Sequence, residues 1–303
     1  MVSGVGASEG PARVLVAVLA ELGFAASFSP LSAFFGEAPP PGDVLVVVSQ
    51  KLSPNARVPF RYERAYAQVV LFTTLDPERD ELAAERVRAG THVIRHGPDE
   101  EPHLLLRVLG PAVASVAVVR AALRTAEEFA DPPSWARALA EVPARVAAAL
   151  ERGQASADET LFDRWTALVC GGGCTEVLPL VRGKLVEGLG LVDPPVWDAM
   201  GVVHGPFQAF FERPVTLLYY SREGDDAGRL LRDRLAESIV PDRHRLHCHE
   251  GSLPGPLVLF EHDAATLGMV LSTLERRPRN LIRWAGQGAD GPVYSLAAHP
   301  PRT

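Results

Sequence analysis

Apolar residues along this chain fall into two rhythms. Short unbroken Val/Leu runs read as strands buried on both faces, while longer Ala/Leu/Val stretches with recurring polar positions read as helices. The first rhythm is clearest in Asp43-Val-Leu-Val-Val-Val-Ser49, which breaks abruptly into Gln50-Lys51-Leu52-Ser53-Pro54-Asn55. Further strands are expected at 69–73, 92–95, 165–169, 215–220, 245–247 and 256–260. Helices are expected at 9–22, 80–89, 104–130, from after Thr175 to about Leu189, 227–239 and 263–274, with another Ala-rich helix running to about Arg152. Regular alternation of this kind predicts an α/β fold with doubly wound parallel sheets. Polar residues just past a strand's carboxyl end then lie where such sheets bind ligands.

The pattern occurs twice. Gly4-Val-Gly6-Ala-Ser8 follows a short strand and opens a helix, and Gly171-Gly-Gly173-Cys-Thr175 does the same after Trp165-Thr-Ala-Leu-Val. Each half then has a second apolar strand ending in serine, at Ser49 and at Ser221. A divergent tandem duplication is the simplest reading, with domains at 1–130 and 161–303 joined by a helical linker at 131–160. Ser134 is placed to cap the linker helix and Gly153 to end it.

A length of 303 residues suits two domains, and a hydrophobic content of 47% supplies large cores. The net charge of -7 would repel phosphate backbones, so nucleic acid is excluded as a partner. No apolar run approaches the roughly 20 residues that span a bilayer, and the first residues lack the basic region and apolar core of a signal peptide. The expectation is a cytoplasmic protein with no membrane partner. Its three cysteines, Cys170, Cys174 and Cys248, are too few for a disulfide framework and read as reduced thiols.

Glycines at positions 4 and 6 allow close backbone approach to a ligand, and a helix start favours anions. The dinucleotide pattern fails, because Glu9 stands at its third glycine position. Ser53 before Pro54 reads either as an ordinary helix cap or as part of a phosphate-cradling loop. In the second half, Lys184 and Glu187 lie at i, i+3 on a helix, and His204-Gly205-Pro206 follows, with His204 seventeen residues beyond Glu187. A surface ion pair is the plainest account of Lys184 and Glu187.

Together these motifs resemble the SIS (sugar isomerase) family, whose members include the isomerase half of glucosamine-6-phosphate synthase, and the resemblance covers nearly the whole chain. It implies two SIS-type, flavodoxin-like domains in tandem. Ser49, Gln50 and Ser53 are similar to the family's Ser-x-Ser-Gly-x-Ser/Thr phosphate loop, but Lys51 replaces a serine and Leu52 a glycine. Gly6, Ser8, Ser49, Gln50, Lys51, Ser53 and Asn55 are then candidate phosphate-binding residues, and Glu187, His204 and Lys184 candidate catalytic ones. The resemblance makes Glu187 the general base of an enediol proton shuttle. It makes His204 the ring opener, lent by a neighbouring subunit in a homodimer with a shared active site. It implies a small-molecule sugar phosphate as partner, carbohydrate metabolism as context and no cofactor. The family's functional lysine near the carboxyl terminus is missing, and Val202 stands where a glutamate is usual. A non-catalytic sugar-phosphate sensor and a lyase or deglycase of a sugar conjugate are the other readings.

His244, His247, Cys248 and His249 invite a metal reading, but a strand would send Cys248 to the opposite face from His247 and His249. No metal is expected there or at Cys170 and Cys174. Tyr62, Tyr66, Phe210 and Phe211 read as core or dimer contacts, and Glu100-Glu101 as a complement to a helix dipole.

Overall fold

The structure is a computed structural model that describes residues 1–97, 101–127, 133–171, 174–289 and 291–294. It divides into two compact units, Met1–Ala130 with Asn280–Thr303, and Asp131–Arg279. The first contains β1 (Val2–Gly4), α1 (Glu9–Glu21), β2 (Val44–Val48), β3 (Gln68–Thr73), α2 (Glu81–Arg88), β4 (His92–Arg95) and α3 (Leu109–Glu127). The four strands form a parallel sheet in the order β1-β2-β3-β4. Burial explains the hydrophobic runs: Leu45, Val47, Leu71 and Phe34 are fully enclosed in the core beneath it.

The second unit begins with α4 (Val142–Ser156) and β5 (Trp165–Cys170). Next come α5 (Leu178–Lys184), continued by one π turn at Leu185–Leu189, then β6 (Val196–Asp198), α6 (Ala199–Val202) and α7 (Pro206–Phe210). It closes with β7 (Val215–Arg222), α8 (Asp226–Ser238), β8 (His244–Gly251) and α9 (Val258–Arg276). Its sheet is also parallel, in the order β6-β5-β7-β8. The two α/β sheets are thus doubly wound, as the alternation predicts.

A closer correspondence links the two sheets. Residues 27–29 pair with β1 on the side away from β2: Val2 donates to the Ser27 carbonyl at 2.9 Å, and Ser29 donates to the Val2 carbonyl at 2.8 Å. This segment occupies the place that β6 holds beside β5. Gly4 pairs with Val48 and Cys170 with Tyr220, so Ser49 and Ser221 each stand one residue past equivalent register positions.

Four local expectations are corrected. The run 256–260 is no strand but a 3-10 turn at Gly255–Leu257 leading into α9. A short apolar run enclosed on all sides has no strand or helix period of its own, and Gly255 at φ +55° supplies the turn that starts the helix. Ser134 caps nothing, because Pro133 occupies the cap position without a side-chain bond. Gly153 does not end α4 but lies inside it, against α9. A Cβ on Gly153 would stand 2.0 Å from the Ala265 carbonyl oxygen, and one on Gly268 would stand 2.2 Å from that of Leu150. These glycines let two helix backbones nearly touch, which ties much of the expected linker into the second unit. Finally, the segment from Asn280 packs on the first unit. Leu105 donates to the Leu281 carbonyl at 2.8 Å, Trp284 stacks on His103 at 6.3 Å, and α10 (Gly291–Tyr294) presents the Val293 carbonyl to Asn55 Nδ2 at 3.2 Å.

Helices Leu109–Glu127 and Gly255–Arg276 are long and apolar enough to cross a bilayer, which the sequence reading did not anticipate. Half of the first window and 72% of the second are buried inside the fold, as core helices are.

Candidate functional site

An open parallel sheet binds ligands where successive connections leave a strand on opposite sides. From β1 the chain runs to 27–29 on one side and to β2 on the other; from β5 it runs to β6 and then to β7. Each unit therefore has one switch-point crevice, at the carboxyl ends of β1 and β2 and of β5 and β7.

Gly6, Ser8, Ser49, Gln50, Lys51, Ser53 and Asn55 all belong to the loops at the first crevice. Gly6 is exposed with φ +57°, and Ser8 is buried at the start of α1. Ser49 is buried, and its N–H donates to the Phe72 carbonyl at 2.9 Å. Lys51 is exposed, and Ser53 makes no cap for the 3-10 stretch Asn55–Ala65 that follows Pro54. Gln50 is drawn toward β3, its carbonyl accepting from Thr73 Oγ1 and Thr74 Oγ1, both at 2.8 Å. Its Nε2 is buried without a hydrogen-bond partner beside Gly110. Glu101 lies at the same spot. Its Oε1 accepts from Val108 and Leu109 at the head of α3, at 3.0 and 2.8 Å, while its Oε2 is buried without a hydrogen-bond partner. Glu100 lies outside the described residues.

Leu52 is the unusual member of this loop. It has φ +45°, in the left-handed region that costs an ordinary residue about 1–2 kcal/mol. Leu52 stands where the resembled loop has glycine, yet the backbone holds this conformation. Two contacts explain why: the Leu52 side chain is only 2% exposed in the core with Leu45, Val58 and Phe60, and Arg57 Nε donates to its carbonyl at 2.8 Å. Leu52→Ala is expected to cost about 2–5 kcal/mol, as buried leucine truncations do. Leu52→Gly should be no more destabilising than Leu52→Ala, because relief of the backbone offsets the missing Cβ. Urea unfolding of both variants checks the ordering, and a distinctly weaker glycine variant would contradict it.

At the second crevice Gly171 donates to the Tyr220 carbonyl at 2.8 Å; Gly172 and Gly173 lie outside the described residues. Asp225 caps α8, accepting from Gly228 through Oδ1 at 2.9 Å. Its Oδ2 is buried without a hydrogen-bond partner and would meet a Cβ on Gly171 at 2.8 Å. Cys174 Sγ lies 3.9 Å from His262 Nε2. Burial pushes the Cys174 thiol up to about 11 and the Cys170 thiol to about 12, and it holds His262 down to about 3. Both thiols stay protonated at neutral pH, which suits structural cysteines.

Lys184 is only 2% exposed, and its Nζ lies 3.0 Å from Asp263 Oδ1 on α9. It is an interior ion pair rather than the surface pair with Glu187 that i, i+3 spacing suggests. Glu187 is half-buried within the π turn, which ends at Gly190 in the left-handed conformation. Single π turns concentrate at functional positions, because one extra residue re-aims the side chains it carries.

His204 is exposed in the turn between α6 and α7. The residues after it build a helix start: Gly205 takes φ +120°, Pro206 occupies the first helical position, and Gln208 Oε1 accepts from the Gly205 N–H at 3.0 Å. Asp198 caps α6 just before, accepting from Met200 and Gly201 at 2.8 and 3.3 Å. Gln208 and Asp198 were missed in the sequence, although an acidic residue immediately before a short helix is a recognisable cap signal. Val202, at the usual glutamate position, is fully buried with Ala199, Phe210 and Val215.

No protein-family model matches the chain. No curated protein matches it either. Solved structures do. The C-terminal domain of glucosamine-fructose-6-phosphate aminotransferase from Francisella tularensis aligns with a TM-score of 0.71 at 15% identity, over 89% of this chain and 83% of that one. Glucosamine-6-phosphate deaminase from Thermotoga maritima gives 0.70 at 12% identity, over 92% and 85%. Tagatose-6-phosphate ketose/aldose isomerase from Escherichia coli gives 0.68 at 13% identity, over 93% and 84%. The chain has the tandem SIS-like fold of the phosphosugar isomerases.

Proposed function

We propose that this chain binds a sugar phosphate and interconverts its aldose and ketose forms through an enediol. The observation that carries the reading is the left-handed turn at Leu52. A left-handed residue at the glycine position supports a phosphate-cradling turn there, since backbone strain gathers at ligand-binding sites. Ser49, Ser53 and Asn55 supply polar groups, Gly6 a backbone amide and Ser8 a hydroxyl at the head of α1, and Lys51 supplies charge. Gln50 anchors the loop to β3 through its carbonyl.

In the second unit Glu187 takes the proton from one sugar carbon and returns it to the next, and His204 assists ring opening; carboxylate and imidazole suit those tasks. Lys184 is a positioning residue, fixing the turn before Glu187 through Asp263. The exposure of His204 suits its serving a neighbouring subunit, as in a homodimer with a shared active site. The names of the three structural neighbours point to the same substrate class.

A sensor that binds without turnover is the second reading, favoured by Val202 in place of a glutamate and by the enclosure of Lys184 in an ion pair. Incubation with hexose and amino-sugar phosphates in heavy water separates the two. An isomerase raises its melting temperature and places deuterium on the carbon beside the carbonyl. Binding without exchange identifies a sensor, and no binding at all overturns both readings.

A further inference from the structure

The alternation of β8 sends His247 and His249 to one face of the second sheet and exposed Cys248 to the other. The two imidazoles have centroids 4.8 Å apart at 59°. On α9 Met269 is fully buried, and its Sδ stands 3.3 Å from His249 Nε2, within reach of a ring N–H. The Nε2 of His247 is buried without a hydrogen-bond partner. Tyr220 stacks on His249 with centroids 5.5 Å apart and closes another side.

We propose that His247, His249 and Met269 form a binding site for a soft cation, copper(I) above all. Two distances are compatible with it. Metal–imidazole bonds of about 2.0 Å and a metal–sulfur bond of about 2.3 Å require donors about 3.3 Å apart for an angle near 100°; His249 Nε2 and Met269 Sδ stand 3.3 Å apart. A metal about 3.1 Å from each ring centre, at a similar angle, requires ring centres about 4.8 Å apart, and they are 4.8 Å apart. Among the described residues no three His, Cys, Asp or Glu side chains converge on a metal position, so the thioether is what completes the set. Two nitrogens and a thioether select a soft monovalent ion over a hard divalent one. An enclosed site also explains a buried ring nitrogen that would otherwise lack any partner.

The test uses the full chain carrying Cys248→Ser, so that the exposed thiol next to the site cannot compete. Anaerobic titration with copper(I) against a chromogenic copper(I) chelator should show one equivalent bound and a raised melting temperature. Met269→Leu, a volume-conserving change, should weaken binding by at least about tenfold, and His247→Asn should do the same. The melting temperature of each metal-free variant confirms its folding. Copper(I) affinity in both variants equal to that of the parent would place the ion elsewhere and overturn the proposal. So would tighter binding of zinc(II) than of copper(I).

Discussion

Lys184→Ala should lower the unfolding free energy by about 3–5 kcal/mol, because it strands the Asp263 carboxylate in the interior of the second unit. The geometry makes this the largest expected stability effect. Lys184 is 2% and Asp263 13% exposed, and their charges face each other at 3.0 Å without the alignment of a hydrogen bond. Lys184 in particular is almost wholly withdrawn from solvent. The double variant Lys184→Met with Asp263→Leu removes both charges at similar volume, and it should recover most of the loss or surpass the parent. Urea unfolding of the two singles and the double measures the coupling directly. A Lys184→Ala variant as stable as the parent would mean that water already reaches the pair. The double variant also tests chemistry: retained turnover would show that the lysine carries no proton itself and acts by placing the helix before Glu187.

Glu187→Gln should reduce turnover by about 10²–10⁴-fold while leaving sugar-phosphate affinity nearly unchanged, the signature of a lost general base. Glutamine keeps the size and hydrogen-bonding reach of the side chain but cannot accept the sugar proton. The π turn at Leu185–Leu189 should survive, since it rests on backbone bonds and on Leu185 and Gly188, both buried. Deuterium incorporation and product formation should therefore fall together. Full activity in this variant would remove Glu187 from the proton path, whereas loss of binding would make it a ligand contact.

Much of the fold was legible because buried parallel strands are nearly pure Val/Leu runs. The segments 44–48, 69–73 and 165–170 announce themselves, and so do the helices at 9–21 and 226–238. Elements built from few residues were not legible. Residues 27–29 reach the sheet through only two backbone bonds with β1, and β6 has three residues, one of them Trp197. The apolar run at 256–260 misled because enclosure removes the period that separates strand from helix.

The candidate site divides in the same way. Local motifs such as Ser49-Gln50 and His204-Gly205-Pro206 are contiguous and readable. Long-range neighbours are not: Asp263 lies far along the chain from Lys184, and Glu101 from Gln50, so only the folded chain brings them together. The π turn that re-aims Glu187 has no composition of its own.

The left-handed turn at Leu52 has a consequence for detecting distant relatives. Glycine is usually treated as the cause of such a turn, and search patterns are written around it. In this loop the shape is held by the bend residue's own side chain, anchored in the core, and by an arginine on its carbonyl. Once such contacts fix the backbone, the bend no longer requires glycine. A pattern that demands the glycine then discards the chain, while a superposition of backbones still recovers it.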